Sequence, residues 1–113
     1  MELQDLLGRK VEVLERRKRE IETEIEQPGR AGRSGYGELL REFGTINKVL
    51  EPWGRWIQVR RNLAETREMI EGADQEMAAL AEEELPVLER EAKRLEELLL
   101  DHLLEDDPDS NRP

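Results

Sequence analysis

The chain contains no cysteine. That excludes disulfide bridges and thiolate metal sites, and it agrees with a reducing cytosol. Aromatic residues are scarce: one Phe, one Tyr and two Trp among 113 residues. The hydrophobic class amounts to 36% and the charged class to 41%. A compact sphere around one central core needs a larger apolar share, whereas narrow seams between long helices need less. Long hydrophobic runs are missing too. The longest leucine run is Leu98-Leu99-Leu100, far short of a membrane span. The opening MELQDLLGRK has no apolar signal core and carries acids early, so it does not read as a secretory leader. The expectation is a single domain of cytoplasmic location with no membrane contact.

What is abundant is acid, unevenly spread. Residues 1–61 hold 13 Lys/Arg against 11 Asp/Glu, and residues 62–113 hold 5 against 17. The overall charge is −10. So acidic a second half repels phosphate backbones and anionic lipid, and any nucleic-acid contact would have to use the first half.

The apolar spacing predicts three helices. Leu3, Leu7, Val11, Leu14, Ile21 and Ile25 fall at steps that keep one stripe on one helix face, over about 2–27. Lys18 takes the slot where a further apolar residue would fall. Pro28-Gly29 ends this helix. The Gly-rich QPGRAGRSGYG that follows reads as a flexible connection. A second helix over about 38–71 carries Leu39, Phe43, Ile46, Leu50, Trp53, Ile57, Leu63 or Ala64, and Ile70. Pro52 lies inside it and predicts a bent but continuous helix. A third helix over about 74–104 starts at Asp74, a good N-cap, with Glu76 in its first turn. Its stripe is Met77, Leu80/Ala81, Leu85, Leu88, Ala92, Leu95, Leu99 and Leu103, with Pro86 expected to bend it. Residues 105–113 form a polar tail after it. A connection of two or three residues at Gly72-Ala73 makes the second and third helices antiparallel neighbours. The fold class expected is therefore all-α: an elongated antiparallel three-helix bundle, a long hairpin plus a shorter N-terminal helix over 1–104. No alternation of period two supports a strand.

Chemistry-bearing patterns are sparse. The sole His, His102, follows Asp101 near the end of the third helix. A His–Asp neighbourhood serves acid–base work in some sites, but a solvated His at a helix C-terminus, where a cation is welcome, is favoured. No Ser stands in a nucleophile context. Glu82-Glu83-Glu84 spreads over most of a helical turn and cannot converge on one ion, so it reads as a solvated face. No catalytic residue, cofactor site or metal site is expected, and no small-molecule substrate. Arg16-Arg17-Lys18-Arg19 fans around its helix among Glu neighbours and is favoured as a solvated face with local ion pairs. A second reading joins Arg16, Arg19, Arg30 and Arg33 into a basic end that meets RNA phosphates or an acidic partner. Arg55, Arg60 and Arg61 form a further candidate of the same kind. Trp53 is in phase with the stripe, which favours a core place for it. Trp56, three residues on at the edge of the stripe, is the better candidate for a partly exposed contact.

With those residues laid out, the chain resembles the N-terminal domain of bacterial class I peptide chain release factors. YGELLREFGTINKVLEPWGRWIQVRRNLAETREMIEG is similar to the family's long second helix, with Tyr36 opening it and Glu51-Pro52 inside. LAEEELPVLEREAKRLEELLL followed by DDPDSNR is similar to its acidic third helix, leucine run and Asp-Pro-Asp exit. The resemblance covers about residues 36–112. Pro86 departs from it, standing where the family usually continues with Glu, and residues 101–105 look like extra sequence. Neither a Gly-Gly-Gln loop nor a codon-reading tripeptide occurs in these residues. The resemblance thus implies a docking role, non-catalytic on its own, in translation termination. It implies a contact with the stalk base of the large ribosomal subunit and a link to the partner GTPase of release-factor recycling. The acidic face of the third helix, with Glu82 and Glu83, would suit a basic ribosomal protein, and the partly basic first half would suit RNA. The alternative is a coiled-coil adaptor or homodimer that shares only helical periodicity with the family.

Overall fold

The computed structural model describes residues 3–72 and 74–105, with side chains from Gln4 to His102. The Asp-Pro exit at residues 106–109, the rest of the polar tail and the place of Leu103 in the third stripe lie outside the described residues. Three α-helices account for most of the chain: α1 Leu3–Ile25, α2 Tyr36–Gly72 and α3 Gln75–Glu105. No strand occurs among the described residues. The all-α class is as the sequence predicts. Packing separates two compact units, Met1–Glu51 and Pro52–Pro113. Helix α2 runs through the boundary as one continuous helix with Pro52 inside it.

The first unit pairs α1 with the N-terminal part of α2. Ile21, Leu39 and Ile46 form its buried cluster, and Leu14, Ile25, Phe43 and Leu50 pack against them. Leu7 and Val11 are buried as well, so the predicted α1 stripe holds. Lys18 keeps its place in that stripe through the ring of Phe43. Its ammonium sits 5.6 Å from the ring centroid, within the range where the negative ring face attracts a cation. Arg17 grips Glu42 as a fork: Nε donates to Oε2 at 2.5 Å and Nη2 to Oε1 at 2.9 Å. Nη1 of Arg17 also donates to Glu20 at 3.1 Å. These contacts join residues 14–25 to residues 39–50, and so short a connection between the two helices makes them an antiparallel hairpin.

The Gly-rich connection between α1 and α2 contains defined turns. A short 3-10 turn occupies Arg30–Gly32. Gly29 and Gly35 hold φ of 78° and 86°, a left-handed backbone that side-chain-bearing residues rarely adopt. The Arg30 guanidinium donates to the carbonyl of Ser34 at 3.0 Å.

The second unit pairs residues 52–72 of α2 with α3. The predicted N-cap is in place: the Met77 amide donates to Asp74 Oδ1 at 2.9 Å. On α3 the half-buried Ala78, Leu85 and Leu88 share one stripe with the buried Ala81, Ala92, Leu95 and Leu99. Steps of three and four in strict turn give a seven-residue period, that of a coiled-coil seam. Ala81, not Leu80, faces inward, and Leu80 and Met77 are exposed.

On α2 the expected stripe needs correction. It holds from Leu39 to Ile46 and then moves. The buried positions that follow are Val49, Pro52, Trp56, Val59, Leu63 and Thr66. Two successive steps of three, from Ile46 to Val49 to Pro52, shift the phase by one residue against a stripe continued through Leu50 and Trp53. The tryptophans exchange roles as a result. Trp56 is 2% exposed, and Trp53 is only half-buried. Their ring centroids lie 5.1 Å apart with planes tilted by 48°, a tilted geometry that suits the ring quadrupoles. The indole N–H of Trp56 donates to Glu96 Oε1 on α3 at 3.2 Å. The Arg60 guanidinium stands 4.9 Å from the same ring.

Two outcomes are expected. Trp56→Ala destabilises the protein by about 3–5 kcal/mol, as deletion of a fully packed aromatic does, and Trp53→Ala by distinctly less. Urea unfolding measures both, and equal losses would contradict the assigned phase. The second concerns Glu42, which the hydrogen bonds from Arg17 hold below the ordinary glutamate value of 4.5. A depressed folded value means that this stabilisation is complete above the unfolded value and is lost as pH falls through the folded one. Glu42→Gln is thus less stable than the parent near neutrality, and the difference narrows as pH is taken below 4.5. A thermal melt series in pH reads it. A gap that stays constant down to acid would show that the carboxylate charge does not matter.

Candidate functional site

Within the second unit, α2 and α3 part to leave an open cleft of about 700 Å³. From α2 it is lined by Asn62, Glu65, Thr66 and Met69, and from α3 by Glu83, Glu84, Val87 and Leu88. Helical spacing explains both sets, because positions three and four apart share a face. The cleft lies beside Pro86, which lacks the N–H that would bond back to the Glu82 carbonyl one turn earlier.

The floor and the rim differ in kind. Thr66 is 4% exposed, the one buried polar residue among those described. It occupies a seam position seven residues after Val59, where the period calls for an apolar side chain. No buried side-chain polar atom among the described residues lacks a hydrogen-bond partner, so this hydroxyl is not stranded. Met69 and Val87 expose 41% and 53% of their surface, a large share for apolar groups. The carboxylates of Glu65, Glu83 and Glu84 are exposed around them. No Lys, Arg or His is among the lining residues. The combination is apolar and anionic, with one hydroxyl among the lining.

The residues singled out from sequence are distributed differently. Glu83 lines this cleft, while Glu82 is exposed outside its lining. Arg16 and Arg19 are exposed and line a shallow recess together with Glu12 and Glu15, so their charge already faces carboxylates. Arg30 is spent on the turn that leads into α2, and Arg33 is exposed. No contact joins these two to Arg16 and Arg19 among the described residues. Arg55 lies 3.9 Å from Glu91, Arg60 covers the Trp56 ring and Arg61 is exposed. Trp56 as an exposed contact is corrected: its ring is buried in the seam, because the phase shift at Pro52 turns it inward. His102 is half-buried and lies in phase with Leu88 and Leu95, so it closes the α3 seam instead of standing free in solvent. Sequence reasoning missed the cleft. The signal that could have found it is Thr66, a polar residue in a seven-residue apolar series.

The described part of the chain is thus of one class: all-α, offering an open helical surface. Comparison with known proteins gives the family. The PCRF domain matches residues 14–113, and the chain belongs to that family. Peptide chain release factor 1 of Pelobacter propionicus is 34% identical over 104 residues, covering 91% of this chain and 29% of the relative. The same factor of Geotalea uraniireducens is 33% identical over 104 residues, with the same coverage of 91% and 29%. That of Acidovorax sp. strain JS42 is 38% identical over 77 residues, 68% of this chain and 20% of the relative. The chain therefore spans less than a third of the length of the curated relatives it matches. No solved structure matches it.

The Thr66 hydroxyl can be tested directly. Thr66→Val keeps the shape and removes one hydroxyl from the cleft lining, so stability should stay within about 1 kcal/mol of the parent. Urea unfolding measures it. A loss well beyond that would show that the folded protein depends on the hydroxyl.

Proposed function

We propose that this chain is the ribosome-docking helical domain of a peptide chain release factor, acting in translation termination in the cytoplasm and non-catalytic on its own. The observation that carries the reading is the PCRF match over residues 14–113. The release factor 1 relatives, which align with 91% of the chain, support it. The chemistry agrees. The cleft offers apolar and anionic contacts, and the seam positions of α2 and α3 are occupied by packing side chains. Such a surface binds a partner and transfers no group. Contact with the stalk base of the large subunit, and a link to the partner GTPase of recycling, are the finer forms of this reading. An acidic second unit suits a cationic protein there, and phosphate is repelled by it.

The expected result is that the chain sediments with purified 70S ribosomes and is displaced by full-length release factor 1. It should release no peptide from a stop-codon complex by itself. Absence from the pellet under low-salt conditions, where electrostatic contacts are strongest, would sink the docking reading. Peptide release by the chain alone would sink its non-catalytic part.

A further inference from the structure

We propose that the cleft between α2 and α3 is a docking groove for a cationic amphipathic segment of a protein partner. The partner's apolar side chains would lie on Met69 and Val87, and its Lys or Arg side chains on Glu65, Glu83 and Glu84. The proposal deepens the docking reading above and rests on it for the existence of a partner.

Three observations converge. Met69 and Val87 leave 41% and 53% of their surface in water at the lip of a cleft of about 700 Å³. Contiguous exposed apolar surface edged by polar groups marks an interaction site. The apolar surface also extends beyond the cleft. Met77, Leu80 and Val87 fall at steps of three and seven, so they share one flank of α3, and Leu80 is 57% exposed. Second, the three lining carboxylates meet no cation within the lining. Their field favours a positive guest and disfavours an RNA phosphate or a second copy of the same acidic unit. Third, Thr66 brings a hydroxyl-bearing residue into the cleft lining. A backbone amide or a lysine ammonium of a guest can donate to such a hydroxyl. Helix-in-groove recognition uses this arrangement of spaced apolar anchors with a charged border.

The test uses the 113-residue chain, labelled with nitrogen-15. It is titrated with a synthetic amphipathic peptide of leucine and lysine, the same peptide with glutamate for lysine, and a lysine peptide without leucine. The leucine–lysine peptide should shift the amides of Asn62, Thr66 and Val87 and leave those of the first unit in place. Glu83→Lys with Glu84→Lys, both at exposed positions, should weaken it about tenfold or more, and Val87→Ser should weaken it as well. Circular dichroism confirms that the variants remain helical. The proposal is overturned if the glutamate peptide binds equally, if the lysine-only peptide binds as well, or if shifts spread evenly over the acidic surface. It is overturned too if an RNA oligonucleotide produces the same shifts. Ribosome sedimentation separates the two readings. If the charge-reversed chain pellets like the parent, the groove proposal fails and docking stands. If the parent does not pellet but the peptide seats in the cleft, docking fails and the groove stands.

Discussion

The burial of Trp56 is the constraint on which the second unit depends. An indole is too large to be half-accommodated in a seam built of alanine, valine and leucine. Once it faces inward, the rotation of α2 is set over the next three turns. Val59 and Leu63 follow it at steps of three and four and are buried. Thr66 is the next position in that series, so it is carried into the seam whatever its polarity. The flanking positions then come to the lip: Asn62 and Glu65 on one side of Thr66, and Met69 beyond it. The ring's N–H fixes α3 through Glu96, at 3.2 Å, and Arg60 covers its face. Removing the indole would therefore loosen both the seam and the geometry of the cleft.

Much of this architecture is legible in the residues alone, and the reason is periodicity. Leu7, Val11, Leu14, Ile21 and Ile25 mark one α1 face without ambiguity, and the α3 series from Ala81 to Leu99 does the same. Asp74 reads as an N-cap because its carboxylate can reach the amide three residues on, which it does. The fate of Lys18 was less visible. A cation in an apolar slot needs a partner ring, and Phe43 comes from the opposite helix of the hairpin. Nothing local to Lys18 announces it.

The failures are instructive for the same reason. Across Pro52 two phases compete, one through Leu50 and Trp53 and one through Val49 and Trp56. Both spacings are helical, and both contain a tryptophan. Helical periodicity cannot choose between them; the packing of α3 against residues 52–72 does. The two phases share the same spacing and differ by one residue of offset; within the second unit Trp56, Val59 and Leu63 are the buried set. The cleft was hidden by a related limit. A run such as Glu82-Glu83-Glu84 reads as a uniform solvated face, but the helix divides it. Glu83 and Glu84 turn toward α2 and Glu82 does not. Only the partner helix reveals which carboxylates share a border.

A seam with a missing apolar residue has two outcomes. Either neighbouring side chains collapse onto the gap, or the helices hold apart and leave surface open to a guest. In this protein collapse is opposed on both sides. On α2, Thr66 is short and β-branched, with few rotamers to offer. On α3, Pro86 interrupts the backbone ladder beside the gap, and Leu85 and Leu88 stay only half-buried although they are in phase. The carboxylates of Glu65, Glu83 and Glu84 resist closing because approach would bring like charges together. The same features that make the seam locally imperfect keep the groove open. The cleft thus gathers a polar seam residue, a proline within the helix and a group of carboxylates around Val87. Distributed along the hairpin, each would weaken it; gathered there, they leave the seam around Trp56 and Leu99 intact.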